Sequence, residues 1–205
     1  MTISVQGTHL LNHLEGLFLK YGIKSLTMDD VAADLGISKK TLYQWFSSKD
    51  DLVIKVLSHH ITREKSQCVQ LASNAQNAIE EILILLNMNT QEMSQMKANV
   101  VYDLQKYHRE AWELVRKYQH DFVYKLITDN IIRGRKEGLY REDFDMDIIA
   151  RLHLAAVFNL FDPEIFPDTV TARVTLFKEY MMHFLHGIIT SKGLAYLKKK
   201  LNKND

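Results

Sequence analysis

The sequence predicts an all-α protein, and three observations carry that reading. Apolar side chains recur three and four residues apart along most of the chain, the spacing of one helix face. Proline, which breaks helices, occurs only as Pro163 and Pro167 among 205 residues, both in one short window. Leu, Ile, Lys and Glu, good helix formers, are plentiful, and no run alternates apolar and polar residues strongly enough for a strand.

Taken in order, residues 8–21 read as a first helix, with Leu10, Leu14, Leu17 and Phe18 on one face and Gly22 at its end. Thr27 is a good N-cap for a second helix, and Asp29 and Asp30 suit the positive end of its dipole. Val31, Ala32 and Leu35 form its apolar stripe. Gly36 stands where a left-handed residue commonly ends a helix. Ser38 caps a third helix of about two turns, through Lys39, Lys40, Thr41, Leu42, Tyr43, Gln44, Trp45 and Phe46. Leu42 and Phe46, four apart, face inward. Lys39, Lys40, Tyr43 and Gln44 are left outside.

Two short helices meeting at a glycine turn make a helix-turn-helix, whose second helix fits the major groove of B-DNA. Lysines offer charge to phosphates or to guanine, Gln44 can pair with adenine, and the Tyr43 ring can touch a thymine methyl. Lys49 and free N–H groups at Thr27 and Ser48 would sit against backbone phosphates. The plain alternative is a small helical bundle with a polar surface. Against it stands a short helix that exposes an aromatic, an amide and two lysines together.

The run Leu26-Thr27-Met28-Asp29-Asp30-Val31-Ala32, then Leu35-Gly36-Ile37-Ser38-Lys39, Thr41-Leu42-Tyr43, Phe46 and Ser48-Lys49, resembles the N-terminal domain of the TetR family of transcriptional regulators. The match runs from near Leu10 to near Leu57. It implies an N-terminal three-helix helix-turn-helix DNA-binding domain over 1–57 and a C-terminal helical ligand-binding and dimerisation domain over 58–205. It also implies that Thr27, Met28, Ser38 and Lys49 fix the register on DNA, while Lys39, Lys40, Thr41, Tyr43, Gln44 and Trp45 read a partly palindromic operator. Trp45 departs from the Tyr or His common in relatives, so base preference is not carried over there. Basic residues that many relatives place before the first helix are missing from positions 1–7.

Composition narrows the function. Lys and Arg number 26 against 25 Asp and Glu, a net charge of +1, which disfavours a salt-driven, non-specific nucleic-acid binder and leaves a site-specific one. Cys68 is the only cysteine, so no disulfide framework exists and a packing role is expected. The apolar run at 10–19 is broken by Asn12, His13 and Glu15, so no leader or membrane span is read and a cytoplasmic protein is expected.

Residues 49–71 read as one long helix, the connector to the rest in the resemblance. His59, His60 and Arg63 on it read as solvated or interdomain. Further helices are expected over 78–88, 93–107, 111–135, 146–161 and 170–189, the fourth capped by Asp143 or Asp145, with Gly193 before a short amphipathic tail that ends in Lys198, Lys199 and Lys200. Residues 135–147 resemble the family's joint before its last two long helices.

Those last helices are the expected interface of a homodimer, through Leu152, Ala155, Ala156, Leu160, Phe177, Met181, Phe184, Leu185 and Ile188. Plain core is the alternative for each. In the family, the region between connector and interface encloses a small apolar inducer. Here Met88, Met93, Met96, Tyr102, Tyr107, Trp112, Phe122 and Tyr124 fall in it, and again plain core is the alternative. His183 and His186 are three apart with His153 on the preceding helix, yet no carboxylate or cysteine completes a metal set, so no metal or cofactor is expected. No nucleophile motif, phosphate-binding loop or HExxH pattern occurs, so no enzyme is expected. The reading is a DNA-binding regulator, most simply a repressor released by ligand. The rival is a helical small-molecule-binding or scaffold protein that has lost operator reading.

Overall fold

The computed structural model describes residues 5–95, 99–162, 164–167 and 172–202. Over these it holds eleven α-helices, one π-helical turn and no strand; a single antiparallel bridge joins Tyr140 and Ile189. The helices form two compact units. One comprises the described residues up to Ser66 with those of Gln95–Tyr118; the other comprises Gln67–Ser94 and the described residues from Gln119 on.

The first unit contains α1 (Val5–Tyr21), α2 (Met28–Asp34), α3 (Lys39–Trp45), the start of α4 (Lys49–Ser73), α6 (Val100–Tyr107) and α7 (Arg109–Tyr118). Leu14, Val31, Leu42, Leu52 and Val53 are its most deeply buried side chains, with Leu104 and Ala111 closing the same cluster. Each such aliphatic side chain contributes about 1.5–3 kcal/mol through loss of contact with water. This compact unit takes in α6 and α7 besides the helices before the expected boundary at Leu57, because both return to the N-terminal helices through non-local contacts. Asp103, buried on α6, accepts the Lys24 backbone N–H (2.9 Å), and buried His108 bonds Asp50 at the start of α4 (2.5 Å).

His59, His60 and Arg63, which the sequence left as solvated or interdomain, are half-buried and bond to α1. Arg63 grips the buried Glu15 of α1 with two N–H bonds (2.8 and 2.6 Å), His60 adds a third (3.0 Å), and His59 bonds Asn12 (2.8 Å). Burial opposes ionisation of Glu15, yet the His60 and Arg63 bonds hold its carboxyl down to about 2. Polar residues on α1 and α4 thus form a seam where the sequence showed only hydrophilic positions.

The second unit contains α5 (Ala78–Gln95), the π turn (Gln119–Val123), α8 (Tyr124–Lys136), α9 (Met146–Asn159), α10 (Arg173–Ile188) and α11 (Ser191–Leu201). Several expected boundaries move. α5 runs on past Met88 to Gln95, and the Asn89 and Thr90 side chains bond back to the Leu85 and Asn87 carbonyls. The expected helix over 111–135 is interrupted by the π turn. Asp145 is the cap of α9, accepting from the Ile148 N–H (3.1 Å). Gly193 is no break: it lies inside α11, where a Cβ would meet the Leu139 carbonyl at 2.4 Å, so the expected tail is a packed helix with Leu197 in the core. Val170, the expected start of the last long helix, and Pro163 lie outside the described residues.

A polar staple fixes this unit. Arg133 of α8 bonds Glu81 (3.0 Å), Glu137 (2.9 Å) and the Ala75 carbonyl (2.8 Å), while Glu137 accepts the Ala78 N–H (2.9 Å). Tyr140 donates to Asn130 (3.0 Å), and its ring lies where a Cβ on Gly134 would be, 2.0 Å away. Glycine at 134 is therefore what lets Tyr140 close on α8.

Candidate nucleic-acid interface

The two helices of the turn are capped by their own sequence. Thr27 accepts the Asp30 N–H (3.1 Å) and Asp30 accepts the Thr27 N–H (2.9 Å), a reciprocal box that satisfies both groups. α2 ends at Gly36 (φ 65°), with the Gly36 and Ile37 N–H groups bonded back to the Ala33 and Ala32 carbonyls. Ser38 caps α3 by accepting from the Thr41 N–H (3.0 Å).

α3 is anchored from beneath by Leu42, which is fully buried, and by Phe46. Its other side chains face out: Lys39, Lys40, Tyr43, Gln44 and Trp45 are exposed, the two aromatics at 44% each. A seven-residue helix that leaves this much aromatic surface in water, on a rigid base, presents it to a partner.

Several expected contacts are modified. Met28 is buried, so its side chain belongs to the core and not to a DNA contact. The Thr27 N–H is not free but taken by Asp30; a Thr-x-x-Asp spacing is the signal that identifies this partner. Ser48 Oγ accepts the Asp51 N–H. Thr41 is half-buried, its hydroxyl bonded to Ser38 (2.8 Å). Lys39 pairs with Asp29 across the turn (2.8 Å). Lys49 is half-buried and donates to the Lys24 carbonyl (3.2 Å), and desolvation lowers its ammonium pKa despite nearby Asp103, Asp50 and Asp30. Lys40, Tyr43, Gln44 and Trp45 remain as the outward set.

A sequence model of the bacterial regulatory proteins of the tetR family matches residues 10–56, the segment that builds this surface. The chain is 29% identical over 142 residues to the HTH-type transcriptional regulator YvaF of Bacillus subtilis, spanning 68% of this chain and 73% of that one. It is 28% identical over 149 residues to the HTH-type transcriptional repressor KstR2 of Mycolicibacterium smegmatis, spanning 69% and 71%. Residues 10–56 thus form a DNA-binding domain of the tetR type.

With this domain the chain is a DNA-binding transcriptional regulator, and these relatives are regulators rather than enzymes. Its fold is that of solved transcriptional regulators. A transcriptional regulator from Saccharomonospora viridis in complex with choline aligns over 91% of this chain and all of its own, with a TM-score of 0.74 at 19% identity. The ketosteroid transcriptional regulator KstR2 of Mycobacterium tuberculosis aligns over 93% and 98%, with a TM-score of 0.59 at 18% identity. Among the described residues no helix is long and apolar enough to cross a membrane.

The residues expected to bind ligand and to form the dimer are placed less simply. Of the expected ligand set, Tyr102, Tyr107 and Trp112 lie in the first unit and Met88 and Phe122 in the second, so within neither unit do they come together; Met96 falls outside the described residues. Tyr102 and Tyr107 are exposed and bond lysines, and Trp112 packs on the N-terminal core. Met88 and Phe122 are half-buried, as is Met93, and the Tyr124 hydroxyl donates to Asp147. Of the expected dimer set, Leu160, Phe177, Met181, Leu185 and Ile188 are buried in the second unit's own core, so their side chains are not interface groups. Leu152 and Ala155 are exposed, and Ala156 and Phe184 half-buried. His153 is buried against Tyr180 and Phe184, whereas His183 and His186 are exposed.

Proposed function

We propose that the chain is a repressor that binds a partly palindromic operator as a homodimer and leaves it when a small apolar ligand binds. The observation that carries the DNA-reading part is α3: Lys40, Tyr43, Gln44 and Trp45 stand outward on a helix held by Leu42 and Phe46. In this reading residues 1–57 hold the operator in the cytoplasm, and 58–205 supply the dimer contact and the ligand site. Ile148 and Leu152 on α9, at 56% and 58% exposure, support the dimer contact, since aliphatic side chains one turn apart and this open suit a second copy. Two copies would set two recognition helices about one turn of DNA apart. Ligand would favour a conformation with mismatched spacing, through a coupling of about 1–3 kcal/mol. The choline bound to the Saccharomonospora viridis regulator supports a small-molecule site.

Selection of bound fragments from the source genome tests this directly. One recurring, two-fold motif is expected, bound in a gel shift against excess competitor and weakened by Tyr43→Ala. Equal affinity for random DNA would overturn the reading. It would favour the rival, a helical ligand-binding or scaffold protein, which the Lys39–Asp29 pair and the near-zero net charge speak for.

A further inference from the structure

The end of α1, the loop that follows it and α6 carry an alternation of lysine and tyrosine. The Lys20 ammonium lies over the Tyr21 ring (5.0 Å to the centroid). Lys24 lies over the Tyr107 ring (4.6 Å) and donates to its hydroxyl (3.0 Å). Lys106 donates to the Tyr102 hydroxyl (2.7 Å) and lies 5.1 Å from that ring. All six side chains are exposed, and all belong to the first unit.

The lysines around the recognition helix are spent differently. Lys39 is neutralised by Asp29 (2.8 Å), Lys55 by Asp51 (2.9 Å), and Lys49 is partly desolvated on a backbone carbonyl. Lys20 and Lys24 instead meet rings and hydroxyls, and neither makes an ion pair among the described residues. A ring holds an ammonium by its quadrupole without cancelling the charge. Lys20 and Lys24 therefore carry exposed positive charge beside the helix-turn-helix, with Asp34 and Asp103 as the nearby acids. The patch also joins the recognition surface: the Lys24 carbonyl accepts the Lys49 ammonium at the start of α4, and three residues on, Thr27 caps α2.

We propose that this lysine–tyrosine surface is a second DNA contact, which holds backbone phosphates flanking the half-site read by α3. It rests on the regulator reading above. Lysines supply the charge and tyrosine hydroxyls a donor to phosphate oxygens, a combination that adds affinity without base preference. An acidic protein surface would match the same charge, but the continuity with Thr27 and Lys49 favours DNA.

The test uses the full chain, a fluorescent duplex of mixed sequence and the operator recovered by selection. Binding is measured between about 50 and 200 mM salt. Lys24→Gln with Lys106→Gln is expected to weaken both duplexes by the same factor. The slope of log affinity against log salt should become shallower by about 2, with the selected motif unchanged. Lys24→Arg with Lys106→Arg should keep the wild-type slope, separating charge from fold. An unchanged slope in a Gln variant with wild-type helicity overturns the proposal, including the case in which the patch serves a protein. Failure of the regulator reading looks different: the wild-type chain would then select no motif, while the slope comparison on mixed DNA still reads this surface.

Discussion

α3 and the α9–α10 pair are both built to face two ways, but they do it with opposite chemistry. α3 divides sharply: Leu42 and Phe46 inward, lysines, an amide and two aromatics outward. On α9 and α10 aliphatic and aromatic residues lie on both sides, Leu185 fully buried and Leu152 58% exposed. A helix whose two faces differ in polarity declares its partner in the sequence; one whose faces are both apolar does not. A protein core and a protein interface exclude water by the same means.

The sharpest way to break this contrast is to replace one apolar residue on each side. Leu185→Ala should destabilise the second unit by about 2–5 kcal/mol, because it opens a cavity in packed surroundings. Leu152→Lys should leave helical content intact while shifting the protein from dimer toward monomer in sedimentation. If Leu152→Lys instead melts the fold, or leaves the dimer untouched, α9 does not carry the interface.

A smaller effect comes from His153, placed between α9 and Tyr180 and Phe184 of α10. Burial pushes its imidazole down to about 4 from an ordinary 6.5. The folded state thus holds the neutral form while the unfolded chain takes up a proton. Stability from this group is present above pH 6.5 and lost as pH falls toward 4. The loss should be about 3 kcal/mol, and His153→Phe should flatten unfolding free energy over that window. Glu15 supplies the matching case in the first unit: its carboxyl sits below its ordinary value, so its contribution goes only between about pH 4.5 and 2. The two units should therefore respond to acid in separate windows, readable by melts at stepped pH.

How much of this was legible follows from where the information lies. The helix-turn-helix is local: Thr27, Gly36 and Ser38 each act within a few residues of themselves, and the inward spacing of Leu42 and Phe46 follows from helix period alone. What was missed is non-local or shared between meanings. Nothing near Arg63 reveals that Glu15 and Asn12 lie across from it. Gly193 looks like a stop unless the Leu139 carbonyl is known to press on it. The π turn at Gln119–Val123 shifts helical phase without changing composition, so apolar spacing reads straight through it. Tyr102 and Tyr107 looked like pocket residues because an aromatic serves a cavity or a lysine equally well.

Thr27→Ala should cost about 1 kcal/mol, the usual worth of an N-cap, and should fray α2 because Asp30 loses its partner as well. Operator affinity should fall with it, since α2 is the platform behind α3. If stability drops and operator affinity does not, α2 does not set the register of reading.

The smallest expected change in stability is also the most pointed about α3. Asp29→Asn removes the carboxylate that pairs with Lys39, both side chains being more than half exposed. An exposed pair of this kind contributes little, so the unfolding midpoint should barely move. DNA affinity should nevertheless rise, because Lys39 regains an uncompensated charge beside Lys40, and the salt dependence of binding should steepen by about 1. A fall in affinity would mean that Asp29 positions Lys39 for DNA rather than shielding it, and the division of lysines between the recognition helix and the α6 surface would have to be redrawn.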